Sequence, residues 1–231
     1  MESLPPYANP ASLWPSLKNN NAGHVPFFTD DVPWSILKID GVGCLKSQLL
    51  SLLEEIGPNI PKDLNNCTID NSQGVIHIDD SATIGPAVHI TGPCYIGPNV
   101  DVRHAAFVRA NTWACADSVI GHCSEIKHSI LLPNAKAPHF NYVGDSIIGG
   151  GVNLGAGVKL SNLRHDGKEV MVRIQNERIP SGIRKFGAIL GEGVQLGCNS
   201  VTNPGVILGN NTMSSANSTI SGVYPPNSII R

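Results

Sequence analysis

Residues 78–102 read IDDSATIGPAVHITGPCYIGPNVDV, with an aliphatic residue at every sixth position. Stepping by six from Ile78 reaches Ile84, Ile90, Ile96 and Val102, then Val108, Ala114, Ile120, Ile126 and Leu132 beyond the quoted stretch. A helix face repeats at about 3.6 residues and a half-buried strand at about two, so neither alone yields this pattern. A three-sided parallel β-helix does. Each hexad forms one side, its aliphatic residue points to the axis, and the small residues between make the corners. Three hexads make a coil, so residues three hexads apart lie one above another.

The spacing slips after Leu132 and resumes in a new phase at Ile148, Leu154 and Leu160. It breaks again and returns at Leu190, Leu196, Thr202, Leu208, Ser214 and Ile220. Leu190 lies 42 residues beyond Ile148, a multiple of six, so 161–187 reads as a loop ejected from a regular coil. The expected fold class is all-β, a parallel β-helix of hexapeptide repeats over 75–231. Residues 1–74 follow another pattern. Leu45, Leu49, Leu52, Leu53 and Ile56 share one face of a helix expected over about 45–56, stopped by Gly57 and Pro58. This N-terminal arm is expected to pack on the prism or to cap its open end.

Composition agrees with a turn-rich β protein: 24 Gly and 17 Pro in 231 residues, with aromatics at 5%. A net charge of −2 without long basic runs argues against nucleic acid. The N-terminus lacks the charged start and apolar core of a signal peptide, and no apolar run is long enough to span a membrane. The six cysteines form no CxxC pair and read as reduced thiols packed in the core, so a cytoplasmic location is expected.

The chemistry is expected where the repeat is irregular. His139, in APHFNY at the first slip, is a candidate general base, since a neutral imidazole suits deprotonation of an ammonium nucleophile. Arg109 and Lys127 stand one coil apart on the same face, either splayed into solvent or clamping a phosphate. The ejected loop carries Arg164, Lys168, Arg173, Arg178, Arg184 and Lys185 against Asp166, Glu169 and Glu177, as an ordinary charged loop or as a lid for an anion. His104, His122 and His128 form a rival metal-ligand set, which would need convergence across subunits; no metal is expected. GGGVNLGAG, 149–157, lacks the ending of a phosphate loop and continues the hexads.

With the hexads and HFNYVGDSIIGGGVNLGAG (139–157) together, the chain from about 76 to 223 resembles the left-handed β-helix acetyltransferase domain of bifunctional sugar-1-phosphate nucleotidyltransferase/N-acetyltransferases. The bacterial glucosamine-1-phosphate enzyme is the best-known type, and the ejected loop is most similar to archaeal members. The resemblance implies transfer of acetyl from acetyl-CoA to an amino-sugar 1-phosphate, with no covalent acyl-enzyme and no metal. It assigns His139 as base, Arg109 and Lys127 to the sugar phosphate, and Tyr142, Asn153, Asn162 and Lys168 to the sugar. It assigns the Ala156 N–H to the thioester carbonyl, Cys198 and Ala216 to the acetyl-CoA channel, and Arg184 or Lys185 to the cofactor's phosphates. It further implies a homotrimer with acetyl-CoA between subunits. Two residues depart from the bacterial pattern: Leu163 stands where a tyrosine is usual, and Pro138 where glycine is common. Residues 1–74 contain no nucleotide-binding motif, so a separate nucleotidyltransferase chain is an expected partner. A non-catalytic β-helix scaffold for such a chain is the alternative.

Overall fold

The computed structural model describes residues 4–21, 23–28, 32–64 and 66–231. The chain winds into a three-sided parallel β-helix of three eight-stranded sheets. Sheet I runs from Thr68–Asp70 to Thr219–Ile220, sheet II from Ile76–Ile78 to Val223–Tyr224, and sheet III from Thr83–Ile84 to Ile229–Ile230. Strand pairing thus starts upstream of 75. The register is the one the hexads imply: Ile78 pairs with Ile96, Ile84 with Val102, and Ile90 with Val108. These residues meet on the axis in one continuous buried cluster. Corner residues such as Asn99, Asn134, Asn211 and Asn227 adopt positive φ, which Asn tolerates better than most residues.

The slip falls one residue earlier than the spacing suggests. Ala114 pairs with Leu131, so Leu131 occupies the axis and Leu132 turns outward into a second cluster. Ile126 pairs with Val143 and Leu131 with Ile148. The sheet I to sheet II corner is therefore shortened by a residue twice, at His128 (φ 43°) and at Asp145 (φ 49°). A serine follows each. Ser129 Oγ donates to the Lys127 carbonyl at 2.7 Å and accepts from the Ser146 N–H at 3.0 Å. Ser146 Oγ donates to the Gly144 carbonyl at 2.7 Å and accepts from the Ala188 N–H at 3.0 Å. A hydroxyl stands in for the backbone group that the short corner lacks.

The ejected loop leaves at this same corner. Ile147 pairs with Ile189 and Ile148 with Leu190, so the scaffold closes beneath the loop as expected. The loop is a hairpin, Met171–Ile174 against Glu177–Pro180, with a neck closed by a Leu163–Lys185 bridge and a 2.9 Å bond from the Phe186 N–H to the Asn162 carbonyl.

The helix of the arm spans Leu45–Ile56 and ends at Gly57, with Leu45, Leu49, Leu52 and Leu53 buried. The helical part of the arm lies along the prism rather than over its end. It covers the outer side of sheet II, where Tyr95, Trp113, Ile130, Ile147, Ile189 and Ile207 face outward and need burial. The arm's last residues meet the end, where Leu64, Cys67 and Ile69 pack against the axial cluster. All three tryptophans tie the arm down: Trp14 Nε1–H donates to the Leu190 carbonyl, Trp113 Nε1–H to His24 and Trp34 Nε1–H to Ser181, each at 3.0 Å. Trp34 also packs on Phe186 of the loop neck, with ring centroids 5.8 Å apart.

The cysteines divide. Cys44, Cys94 and Cys115 are buried, and burial pushes the Cys94 thiol up to about 12. Cys123 and Cys198 are exposed rather than packed in the core, because both occupy outward corner positions between sheets III and I. Among the described residues no helix is long and apolar enough to cross a membrane.

Two measurements test how the arm is held. Trp34→Ala removes a buried ring and a buried hydrogen bond and should lower unfolding stability by about 3–5 kcal/mol in urea melts; an unchanged midpoint would show that the arm is not docked through this ring. His128 is buried, with Nε2 3.1 Å from the Leu37 carbonyl of the arm. Burial, aided by Lys127 and Lys46, holds its pKa below the ordinary value, against the opposing pull of Asp145 and the Leu37 carbonyl. The folded state thus keeps neutral a group that the unfolded chain protonates. Its contribution is full above roughly pH 6.5 and is lost as pH falls through the folded value. His128→Gln keeps an N–H donor without a titration, so its Tm should fall less than that of the parent between about pH 7.5 and about pH 5.5. Equal losses in the two proteins would remove His128 as the source.

Candidate active site

The corner between sheets III and I carries one column of residues, rung upon rung. Cys123, Phe140, Gly157, Asn199 and Asn217 each donate their N–H to the carbonyl of the column residue one coil earlier, respectively His104, His122, His139, Ala156 and Cys198. The column thus runs His104, His122, His139, Ala156, Cys198, Ala216. Three imidazoles stack and then give way to three small side chains. His104 and His122 lie parallel with ring centroids 5.2 Å apart, and His139 meets His122 edge-on at 5.1 Å. His139 is the last ring of the column; the small residues that follow, Ala156, Cys198 and Ala216, pass from half-buried to exposed.

His139 is held from three directions. Its N–H donates to Asn141 Oδ1 at 3.0 Å, and its carbonyl accepts from the Gly157 N–H at 3.0 Å. Its Nδ1 is 3.3 Å from Nδ1 of His122, so one ring donates and the other accepts. Asn141 is buried and braced by Ser124 Oγ and the Gly155 carbonyl. Pro138, in the usual glycine's place, rides directly over Gly121, where a Cβ would overlap the Pro138 carbonyl. The contact is with the Pro138 backbone, so the glycine one coil below is needed for the close approach of the chain rather than for the proline ring. Among the described residues no acceptor takes the Ala156 N–H, which leaves it available to a ligand.

Sheet I carries the second half of the site on its outer face. Tyr142 is in register with Glu125, and Lys127 with Gly144. The Tyr142 hydroxyl and Asn162 Nδ2 cross over Gly144, each 2.7 Å from where a Cβ would stand there, so only glycine leaves both room. Burial, followed by the Glu125 and Asp145 charges, raises the Tyr142 pKa and keeps the hydroxyl protonated. Asn162 Nδ2 donates to Asp145 Oδ2, which also accepts from Lys127 Nζ at 3.0 Å. Arg109 Nη1 donates to Glu125 Oε1 at 2.7 Å and its guanidinium lies 5.6 Å from the Phe107 ring centre. The stacked cations therefore do not face each other bare, because each already has a carboxylate. Neither Glu125 nor Asp145 stands out in the sequence, although one lies two residues before Lys127 and the other is the positive-φ residue of a short corner.

Arg109, Lys127, His128 and Asp145 line a cavity of about 420 Å³ together with Lys46 of the arm and Lys185 of the loop neck. Lys185 thus stands with the expected phosphate residues. Asn153 lies at the far end of its strand from the rung of His139, beside Lys136 and Gln195. Lys168 and Arg184 are exposed and line neither this cavity nor the one of about 400 Å³ beneath the hairpin. That second cavity takes Arg164, Arg173 and Arg178. Arg164 forks onto Asp166 at 2.9 and 2.7 Å and holds its carboxyl well below the usual carboxylate range. His128 points into the arm, away from His104 and His122, and among the described residues no three His, Cys, Asp or Glu side chains converge as for a metal ion.

Residues 90–221 match the family described as the GMPPB C-terminal domain. The chain is 34% identical over 218 residues to the bifunctional protein GlmU of Methanococcus aeolicus, covering 93% of this chain and 50% of that protein. It is 40% identical over 137 residues to the bifunctional sugar-1-phosphate nucleotidylyltransferase/acetyltransferase of Sulfurisphaera tokodaii, covering 59% of this chain and 34% of that protein. Among solved structures, a variant of AntD, an N-acyltransferase from Bacillus cereus, shares 17% identity at a TM-score of 0.32, covering 78% of this chain and 82% of that one. The chain spans about half the length of the first of these curated relatives. The matched span takes in every rung from Arg109 to Ala216, and the chain belongs to the GMPPB C-terminal-domain family, with bifunctional GlmU proteins among its relatives.

Proposed function

We propose that this chain is an N-acetyltransferase that moves acetyl from acetyl-CoA to the amine of an amino-sugar 1-phosphate, glucosamine 1-phosphate first, for UDP-N-acetyl-sugar precursors. The observation that carries the reading is the corner column, where His139 is the last imidazole before the small residues Ala156, Cys198 and Ala216. The names of the GlmU and sugar-1-phosphate relatives support the choice of acceptor.

Acetyl-CoA supplies an acyl group activated as a thioester. With His139 Nδ1–H donating to His122, Nε2 keeps its lone pair and takes the proton of the attacking amine. The Ala156 N–H, one rung above, faces the carbonyl oxygen as the C–N bond forms and the C–S bond breaks. His139 then returns the proton to the leaving thiolate, so the chain ends the cycle unchanged. Tyr142 and Asn162 orient the sugar over Gly144, and holding both reactants on one wall supplies much of the rate. A homotrimer belongs to this reading. Asn153, Lys168 and Arg184, remote from His139's rung or from both cavities, then serve the site or the cofactor at a subunit boundary.

The test is thiol release from acetyl-CoA with glucosamine 1-phosphate, galactosamine 1-phosphate and glucosamine 6-phosphate offered separately. Turnover on a 1-phosphate is expected, falling roughly 10²- to 10⁴-fold in His139→Ala, with no acetylated protein in intact mass spectra. The pairing of Arg109 and Lys127 with carboxylates favours a second reading, a trimeric scaffold for a separate nucleotidyltransferase. A folded trimer that releases no thiol with any of the three sugars would overturn the amino-sugar-phosphate acceptor and leave the scaffold or an enzyme for a different acceptor.

A further inference from the structure

The two stacked cations that the family resemblance assigns to a phosphate are both engaged. Arg109 is bonded to Glu125 at 2.7 Å and Lys127 to the buried Asp145 at 3.0 Å. A phosphate arriving there competes with two carboxylates rather than meeting free charge.

The same cavity holds two more cations, and neither comes from a regular rung. Lys46 projects from the first turn of the arm's helix, which has no acidic residue in that turn. The helix dipole disfavours a cation at this end, so local helix stability does not explain the residue. Lys185 sits in the neck of the ejected loop, fixed by its bridge to Leu163. Among the described residues neither ammonium has an ion-pair partner. Lys46 lies close enough to the buried His128 for its charge to oppose protonation there, which places it at the cavity wall. The other carboxylate on that wall, Asp70, is turned into its own chain, with Oδ1 accepting from the Ser72 N–H at 3.0 Å.

Both lysines are carried by elements that grip each other. Trp34 of the arm packs on Phe186, the residue after Lys185, and its Nε1–H donates to the Ser181 carbonyl of the loop. The two ammonium groups are therefore delivered together.

We infer that Lys46 and Lys185 bind the acceptor's phosphate, so that the N-terminal arm is part of the acceptor site. The group they take is a phosphate monoester, which carries about −1.5 to −2 charge at pH 7 and suits compact ammonium donors on flexible stems. The sugar rests on the acetyltransferase reading, whereas the anion does not. A cavity of about 420 Å³ has the size of a small-ligand site.

Inorganic phosphate is the first probe, because it needs no turnover. Melts in phosphate and in chloride at matched ionic strength should show a phosphate-specific rise in Tm of about a few degrees in the parent. Lys46→Met and Lys185→Met should each lose most of that rise. Lys46→Arg should keep it, as should Lys62→Met, which removes an exposed lysine elsewhere on the chain. In turnover, Lys46→Met should raise KM for the 1-phosphate roughly tenfold and for the unphosphorylated amine less than about twofold. A folded Lys46→Met protein with an undiminished phosphate response overturns the inference, whatever sugar is acetylated. A phosphate response that depends on both lysines, in a protein that acetylates no amino sugar, upholds the inference and removes the proposed substrate instead.

Discussion

An aliphatic side chain pointing at a common axis from every side of every coil is the constraint on which the rest of the molecule depends. Because each rung rests on the one below, Ile78, Ile96, Ala114 and Leu131 form a continuous column, and the backbone bonds of each sheet follow from that stacking. Such a scaffold has little freedom in its sides and keeps its variation at the corners.

One corner absorbs nearly all of the variation. Between sheets I and II, two successive coils are shortened at His128 and Asp145, and the next ejects a hairpin. Shortening draws Lys127, Asp145 and Asn162 together, and ejection brings Lys185 back beside them. The arm reaches the same place because it must cover the apolar outer face of sheet II, which ends at that corner. The candidate phosphate residues and the irregularity coincide for a geometric reason, since a regular corner presents the same small turn on every coil.

The opposite kind of order builds the reaction wall. The corner between sheets III and I stays regular enough for six residues to line up, and their sizes then do the work. The imidazoles of His104 and His122 stack beneath His139, while Ala156, Cys198 and Ala216 continue the column with small side chains. For the proposed base, His139, the stacked column supplies a firm back from the rungs below and only small side chains on the rungs above.

The hexad spacing by itself determined the three-sided β-helix, the ejected loop and the stacking of Arg109 on Lys127, because a period of six is legible along the chain without knowledge of what it packs against. The helix over Leu45–Ile56 was equally legible from its apolar face. Which of Leu131 and Leu132 faces the axis was not, since both are apolar and only the pairing with Ala114 distinguishes them. The outward faces of Cys123 and Cys198 depended likewise on corner geometry. The arm's resting place, the carboxylates on Arg109 and Lys127, the joining of His139 to the His104–His122 stack across a shortened coil, and the meeting of Lys46 with Lys185 were decided by tertiary structure alone. Each brings together residues from different coils, or from outside the repeat, where no period connects them and only packing against a shared face sets their distance.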